Sequence, residues 1–326
     1  MKLPSSAGGN GPYMEVFCGI DQINRPLRNP VLTIGNFDGV HLGHQTLFDR
    51  VKHRAQDLGG ESVVMTFHPH PLEVLSPGNG PVFITEHARK LRLIESCGID
   101  IAIVIPFSRE FARMSAQQFV KRILVEKIGV KALVVGYDYK FGHGREGDIE
   151  FLRNLGKKYA FDVEAVTGIK MDGKVVSSTA IRQCIQQGQL KEANVLLGRP
   201  YEISGAVVKG RDRGGRVLGF PTANIRLSCQ APPKTGVYAV RVEIDGKTYG
   251  GAANLGYNPT FGDTDLSLEV HIFDFNQDLY GKEITVQFVD RLRDEQRFAG
   301  PEELAVQIHR DIQTAREILT AAPRRE

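Results

Sequence analysis

Two histidines three positions apart, His41 and His44, close the run Gly35-Asn36-Phe37-Asp38-Gly39-Val40-His41-Leu42-Gly43-His44. The apolar stretch Val31-Leu32-Thr33-Ile34 stops at Gly35, and a helical pattern begins near Gly43. A strand, a glycine turn and a helix N-terminus in that order suit a phosphate. Small residues let the backbone come close, free N–H groups point outward, and the helix dipole favours negative charge. Imidazoles at the same place can donate hydrogen bonds to charge that develops during a reaction. A lone histidine is more often structural, but two at a glycine turn behind a buried strand favour function. A metal reading gathers His41, His44, His68 and His70 around zinc. Against it, no cysteine or acidic residue stands nearby at a recognisable ligand spacing, and His68-Pro69-His70-Pro71 is stiffened by its prolines.

Three further constellations could do chemistry. The loop Gly136-Tyr137-Asp138-Tyr139-Lys140-Phe141-Gly142-His143-Gly144-Arg145 follows an apolar strand and offers aromatic and cationic groups to a base and its phosphates; a plain surface loop would read the same way. Ser177-Ser178-Thr179-Ala180-Ile181-Arg182 opens a helix, as an ordinary N-cap would. Arg182 lies one turn after Thr179 on the same face, where a guanidinium fork can take a phosphate. In the second half, Gly214-Gly215-Arg216-Val217-Leu218-Gly219-Phe220-Pro221-Thr222-Ala223-Asn224 is a glycine-rich loop running into a strand. Thr222 and Asn224 share one strand face, and a hydroxyl beside an amide can hold Mg²⁺ and phosphate oxygens. Glu269 and His271 share a face opposite Leu268, Val270 and Ile272; beside a phosphate, such a carboxylate is a candidate general base.

These residues need two kinds of scaffold. From 31 to about 182 the chain alternates strands (31–37, 62–67, 101–107, 132–136, 163–166) with helical patterns (43–58, 86–97, 115–128, 148–159), which predicts βαβ units and a mostly parallel sheet. Ligands bind such sheets at the carboxyl ends of the strands, so the polar motifs that follow strands are expected to converge on one crevice. A helix from Thr179 to about Leu197 leads to a boundary near 198. Beyond it, strands follow one another (202–209, 223–227, 237–244, 247–255, 268–275, 283–289), with Asp245-Gly246 as a hairpin signal. That predicts a small antiparallel barrel or sandwich. Pro301, Glu302 and Glu303 start a closing helix, whose stripe Leu304, Ile308, Ile312, Ala315 and Leu319 reads as packing surface.

Composition narrows the class. The 326 residues are 41% hydrophobic and 24% charged, with a formal net charge of +3. That suits a soluble protein of about two domains and predicts no extended nucleic-acid or membrane surface. The four cysteines, Cys18, Cys97, Cys184 and Cys229, are widely spaced with no C-x-x-C, which fits a reducing, cytoplasmic setting. Apolar runs are strand-length, so no membrane span is expected. Residues 1–14 read as a disordered extension, not a secretory signal.

Taken in order, the motifs match a known family. HLGH fits the HxGH motif of the nucleotidylyltransferase superfamily, and GNFDGVHLGH, TFHPHP (66–71), GYDYKFGHGREG (136–147) and SSTAIR (177–182) resemble the FMN adenylyltransferase module of bacterial riboflavin kinase/FAD synthetases. GRVLGFPTAN (215–224), GVYAV (236–240), NLGYNPTF (254–261), LEVHIFDF (268–275) and LYGKEI (279–284) resemble a riboflavin kinase module. The resemblance implies a Rossmann-like α/β nucleotidylyltransferase domain over 15–198 and a small antiparallel β-barrel with a C-terminal helix over 199–326. It implies that His41 and His44 contact the ATP phosphates, assisted by Ser178, Thr179 and Arg182, with Gly35, Phe37, Asp38 and Asp138 also at the nucleotide. For the kinase it implies Gly210, Gly215, Arg216, Thr222 and Asn224 at Mg-ATP, with Thr222 and Asn224 as metal ligands and Glu269 as the base. The flap 210–215 is longer than the usual one, so which glycine and arginine touch phosphate stays open.

The implied activity converts riboflavin to FMN and FMN to FAD, with ATP as co-substrate of both steps, Mg²⁺ accompanying it, and flavins as substrate and product, not prosthetic group. No nucleic-acid or membrane partner is expected; a homo-oligomer is compatible with the sequence. Two alternatives are a riboflavin kinase whose first half has lost activity, and a non-enzymatic nucleotide- or RNA-binding protein. Intact HLGH and SSTAIR runs weigh against the former; near-neutral charge and the lack of an RNP-like aromatic run weigh against the latter.

Overall fold

A computed structural model describes residues 13–78, 82–171, 173–209, 220–227, 230–257 and 266–321. Two compact units emerge. Among the described residues, one holds those up to Val82 and from Glu86 to Ser177; the other holds Phe83–Thr85 and those from Ser178 onward.

The first unit is built on a six-stranded sheet. Its strands are β1 (Glu15–Cys18), β2 (Val31–Ile34), β3 (Ser62–His68), β4 (Ile101–Pro106), β5 (Ala132–Gly136) and β6 (Asp162–Val166), in the order β1-β4-β3-β2-β5-β6. Every pairing in it is parallel. Strands β2 to β5 are buried along almost their whole length, as near-continuous apolar runs with a helix layer on each face require. One core layer joins Leu32, Met65, Ile103 and Leu133 to Phe119 and Leu124; the other face packs Val64, Ala102 and Val104 on Phe37, Phe48 and Ile94. The order runs outward from β2 through β3 and β4, then restarts on the other side at β5. The switch point therefore lies between β2 and β5, where two motif loops begin.

Strand β1 was not anticipated. Met14, placed by the sequence reading in a disordered extension, is buried against the sheet, and β1 pairs in parallel with β4. Residues 1–12 of that extension lie outside the described residues. The helix expected over 115–128 is an α-turn at Ala116–Gln118, capped by Ser115 and Gln118, continuing as a π-helix over Phe119–Ile128. A short antiparallel pair, β7 (Lys170–Met171) and β8 (Lys174–Val175), closes the unit.

The second unit is a closed antiparallel barrel. Its strands are β9 (Tyr201–Val208), β10 (Ala223–Ile225), β11 (Gly236–Ile244), β12 (Lys247–Tyr257), β13 (Leu266–Ile272) and β14 (Glu283–Arg293), ordered β10-β13-β12-β11-β14-β9 with β9 pairing back onto β10. Closure leaves no edge strand. Period-two alternation puts Ile225, Leu268, Val270, Val240, Val286 and Phe288 inside. The final helix, Pro301–Ala321, lays Ala315, Ile312 and Leu319 on Ala239 and Phe273, so its apolar stripe is packing surface. Arg293 grips Asp311 of that helix through a fork, with Gln307 on the same carboxylate.

The helix expected as one piece from Thr179 to Leu197 is two, Ser178–Gln186 and Leu190–Leu197, broken at Gly188 with φ 76°. Both pieces, put by the sequence reading before a boundary at 198, pack within the barrel unit. Asn194 explains why: its amide donates to Phe288 O at 2.9 Å and its carbonyl accepts from Tyr201 N at 2.6 Å, tying the second helix to β14 and β9.

Candidate functional site

The first site grows from the end of β2. Gly35 donates to Met65 O at 3.1 Å, and a Cβ on it would stand 2.9 Å from the Phe37 ring. The turn then bends sharply: Phe37, Gly39 and Val40 have φ of 51°, 87° and 40°, in the left-handed region that non-glycine residues adopt only when their surroundings enforce it. Burial of Phe37 and Val40 supplies that enforcement. The helix Leu42–Asp57 follows, one residue earlier than expected, with His41 as its N-cap. The His41 Nδ1 accepts the His44 N–H at 3.3 Å. That leaves the ring proton on Nε2 as a donor. The His44 ring stacks on His41 at 3.5 Å between centroids and meets the Phe37 ring edge-on at 5.2 Å. A Cβ on Gly43 would come within 3.1 Å of the His41 ring, so glycine there sets the approach of the two imidazoles. The structure thus brings Gly35, Phe37, Asp38, His41 and His44 into one buried or half-buried turn at a helix N-terminus.

Sequence reasoning missed Lys90. It lies in the helix His87–Ser96 and is 7% exposed, and its ammonium donates to Asn36 O and Thr66 Oγ1, both at 3.1 Å. Burial, opposed by Asp38 and Glu73, pulls it down to about 8. One turn earlier, His87 stacks on His68 at 4.0 Å; burial, then the charges of Lys90 and His68, lower it to about 4. His70 caps the short helix Pro71–Leu75 through Nδ1. Of the four histidines weighed for zinc, His41 and His44 stack on each other, His68 stacks on His87 and His70 caps a helix; among the described residues no group of three or more His, Cys, Asp or Glu is gathered as a metal would need. Asp138 is exposed in the turn after β5, across the switch point from β2.

Ser178, Thr179 and Arg182 occupy the first two turns of the helix Ser178–Gln186 in the second unit, with Thr179 exposed and the other two half-buried.

The second site lies on the outer face of the barrel. Register sets Asn224 opposite Glu269, and Glu269 opposite Asn254, so β10, β13 and β12 carry an amide, a carboxylate and an amide in one row. Their neighbours Ile225, Leu268 and Val270 fill the barrel, which fixes the polar row outward. Partial burial raises the Glu269 pKa by penalising its charged form. Thr222 is exposed one residue before β10 begins. Phe220 meets His271 edge-on at 5.7 Å and His309 at 4.8 Å, while His271 Nδ1 contacts Pro221 O at 2.9 Å. These contacts fix where the incoming loop joins the strand. Gly210, Gly215 and Arg216 lie outside the described residues.

Comparison with known proteins matches each site to its own module. The model of the FAD synthetase family matches residues 23–180, and that of the riboflavin kinase family matches 197–319. A bifunctional riboflavin kinase/FMN adenylyltransferase of Escherichia coli K12 is 43% identical over 306 residues, 93% of this chain and 97% of its own. The chain belongs to the bifunctional riboflavin kinase/FMN adenylyltransferase family. A member from Pseudomonas fluorescens is 42% identical over 95% of this chain and 99% of its own. A crystal structure from Streptococcus pneumoniae, named a macrolide-efflux protein, superposes with a TM-score of 0.85 at 35% identity over 93% of this chain and 99% of its own. Among the described residues no helix is long and apolar enough to cross a membrane. Within the family frame, the FAD synthetase match spans the turn, Lys90 and Asp138 and ends at Ala180, whereas the riboflavin kinase match spans the polar row and the Arg293–Asp311 pair.

Proposed function

We propose that this chain phosphorylates riboflavin to FMN and adenylylates FMN to FAD, consuming an ATP at each step. The carrying observation is that two separately built polar sites, on two compact units, each fall within the matching family model.

In the first reaction the terminal ribityl hydroxyl attacks the γ-phosphorus of ATP, ADP leaves, and Glu269 takes the hydroxyl proton. Its raised pKa and its place between Asn224 and Asn254 support that role. Thr222 and Asn224 offer neutral oxygen donors, which suit Mg²⁺ arriving with ATP because the phosphates supply the negative charge. The metal, when bound, screens phosphate charge during transfer.

In the second reaction an FMN phosphate oxygen attacks the α-phosphorus of ATP and pyrophosphate leaves. No protein nucleophile is required, so catalysis is positioning plus charge stabilisation. His41 offers Nε2–H, His44 stacks beside it, and the helix N-terminus adds its dipole. Asp138 suits the nucleotide side of the switch point, and the first turns of the helix Ser178–Gln186 carry hydroxyls and Arg182 suited to phosphate. The setting is the cytoplasm, with riboflavin, FMN and ATP as partners.

Incubation with riboflavin, ATP and Mg²⁺ followed by chromatography tests the reading. FMN should appear first and FAD after it. FMN alone would leave only the kinase, and neither product would overturn both assignments.

A further inference from the structure

Lysine is almost never fully buried unless its charge is met. In the first unit Lys90 is 7% exposed, and both of its hydrogen bonds go to neutral oxygens, Asn36 O and Thr66 Oγ1. The Thr66 hydroxyl itself donates to Asn36 O at 3.2 Å, so two donors converge on one carbonyl. That carbonyl opens the turn in which Phe37, Gly39 and Val40 all take positive φ. Phe37 comes next in the chain, and its ring edge meets the His44 imidazole. A chain of contacts therefore runs from a buried cation to the peptide of Asn36, to Phe37, and to the histidine pair.

We infer that Lys90 is a positioning residue for adenylyl transfer, its buried ammonium holding the Asn36 carbonyl and so fixing the turn that aims His41 and His44. The inference rests on the reading of the first site as the adenylyltransferase centre. A cation is suited to this task because a charged donor binds a carbonyl more strongly than a neutral one. The groups facing it are few. Asp38, from the same turn, and Glu73, from the short helix Pro71–Leu75, favour its charged form; His87, on its own helix and stacked on His68 of β3, stays neutral near pH 7 and adds no competing charge. Burial outweighs both carboxylates, so the ammonium loses its proton near pH 8. The clamp then weakens within the range where the enzyme can be assayed.

The test uses the full chain with Lys90→Met and Lys90→Arg. FAD formation from FMN and ATP is followed from pH 6.5 to 9.5, and riboflavin phosphorylation in the same preparations controls for folding and concentration. Lys90→Met should lower kcat for FAD formation by about 10- to 100-fold, with KM for FMN and ATP nearly unchanged, because geometry and not binding is lost. Riboflavin phosphorylation should not change. The wild-type FAD rate should fall as pH rises through about 8. Lys90→Met should lack that limb, and Lys90→Arg should recover part of the rate and move the limb upward. Unfolding does not mimic this behaviour. A lysine whose pKa is lowered by folding makes the native state more stable, not less, as pH rises through that window, so the melting temperature should hold while the rate drops. Wild-type kcat in Lys90→Met, or a wild-type rate flat from pH 7 to 9.5, overturns the inference. If Lys90→Met does not fold, the wild-type and Lys90→Arg profiles decide alone. A wild-type chain that phosphorylates riboflavin but makes no FAD would overturn the reading of the first site, and this inference with it.

Discussion

Glu269→Gln separates chemistry from structure in the kinase half. Glu269 stands in β13 with Asn224 and Asn254 as its cross-strand neighbours, and burial raises its pKa. Glutamine keeps the length and can still hydrogen-bond to amides, but it cannot accept a proton. Loss of a general base costs about 100- to 10,000-fold in rate, or about 3–5 kcal/mol of transition-state stabilisation. Stability should move the other way. Because the folded pKa lies above the unfolded one, the native state binds more protons in the window between them, and folding weakens as pH rises through it. Removing the buried charge should therefore leave the barrel as stable near neutral pH, or more so. The assay is single-turnover riboflavin phosphorylation with enzyme in excess, beside binding titrations of riboflavin and Mg-ATP. Binding should persist, FAD formation from supplied FMN should be untouched, and the fall in rate at acid pH expected of wild type should vanish. Wild-type turnover with glutamine at 269, or an unchanged acid limb, would remove Glu269 from the mechanism. His271 would then be the next candidate on that strand face, although its Nδ1 is already engaged at Pro221 O.

Three other outcomes follow from the geometry. His44→Ala should cost roughly 3 kcal/mol in FAD formation, the scale of one lost transition-state donor, and spare riboflavin phosphorylation; equal loss of both in folded protein would refute separate sites. Asp311→Ala should destabilise the barrel unit by about 3 kcal/mol in denaturant unfolding, because the Arg293 side chain, only 16% exposed, would lose its paired fork; no shift would mean that solvent already meets this charge. A fragment of residues 178–326 should make FMN and no FAD. It should melt below the same unit in the full chain, since it lacks the Phe83 carbonyl that accepts from Ala231 N at 2.7 Å and the buried Ile84 side chain. Starting at 199 should lower the melting point further, by removing the Asn194 bonds to Phe288 and Tyr201; equal melting of the two fragments would sink that argument.

The candidate site residues were legible because their determinants are local. An apolar run ended by glycine, two histidines at helical spacing, and alternation along 268–272 each fix a face or a turn within a few residues, and the strands fell within a few positions of expectation. What supports them was not legible, for one reason repeated. His87-Ala-Arg-Lys-Leu-Arg-Leu reads as an amphipathic helix with a solvated cationic face, and nothing within it says that Lys90 goes inward while Arg92 stays out. Only the approach of β3 and the turn after β2 creates an oxygen for that ammonium. Asp311 is hidden likewise: on an isolated helix it belongs to the wet face, and it is buried because Arg293 arrives from β14. Strand β1 carries just Val16 and Phe17 as buried side chains, too short a run to stand out until β4 is there to pair with it. The helix expected from Thr179 to about Leu197 gave no sign that its second piece, Leu190–Leu197, would be tied to β14 and β9. Spacing along a chain reports which groups share a face; it is silent on which distant carbonyl or carboxylate will meet a charge. The buried charges in this fold therefore lay where sequence reading was weakest, and Lys90, placed behind the turn and not in it, is where substitution should separate positioning from contact with substrate.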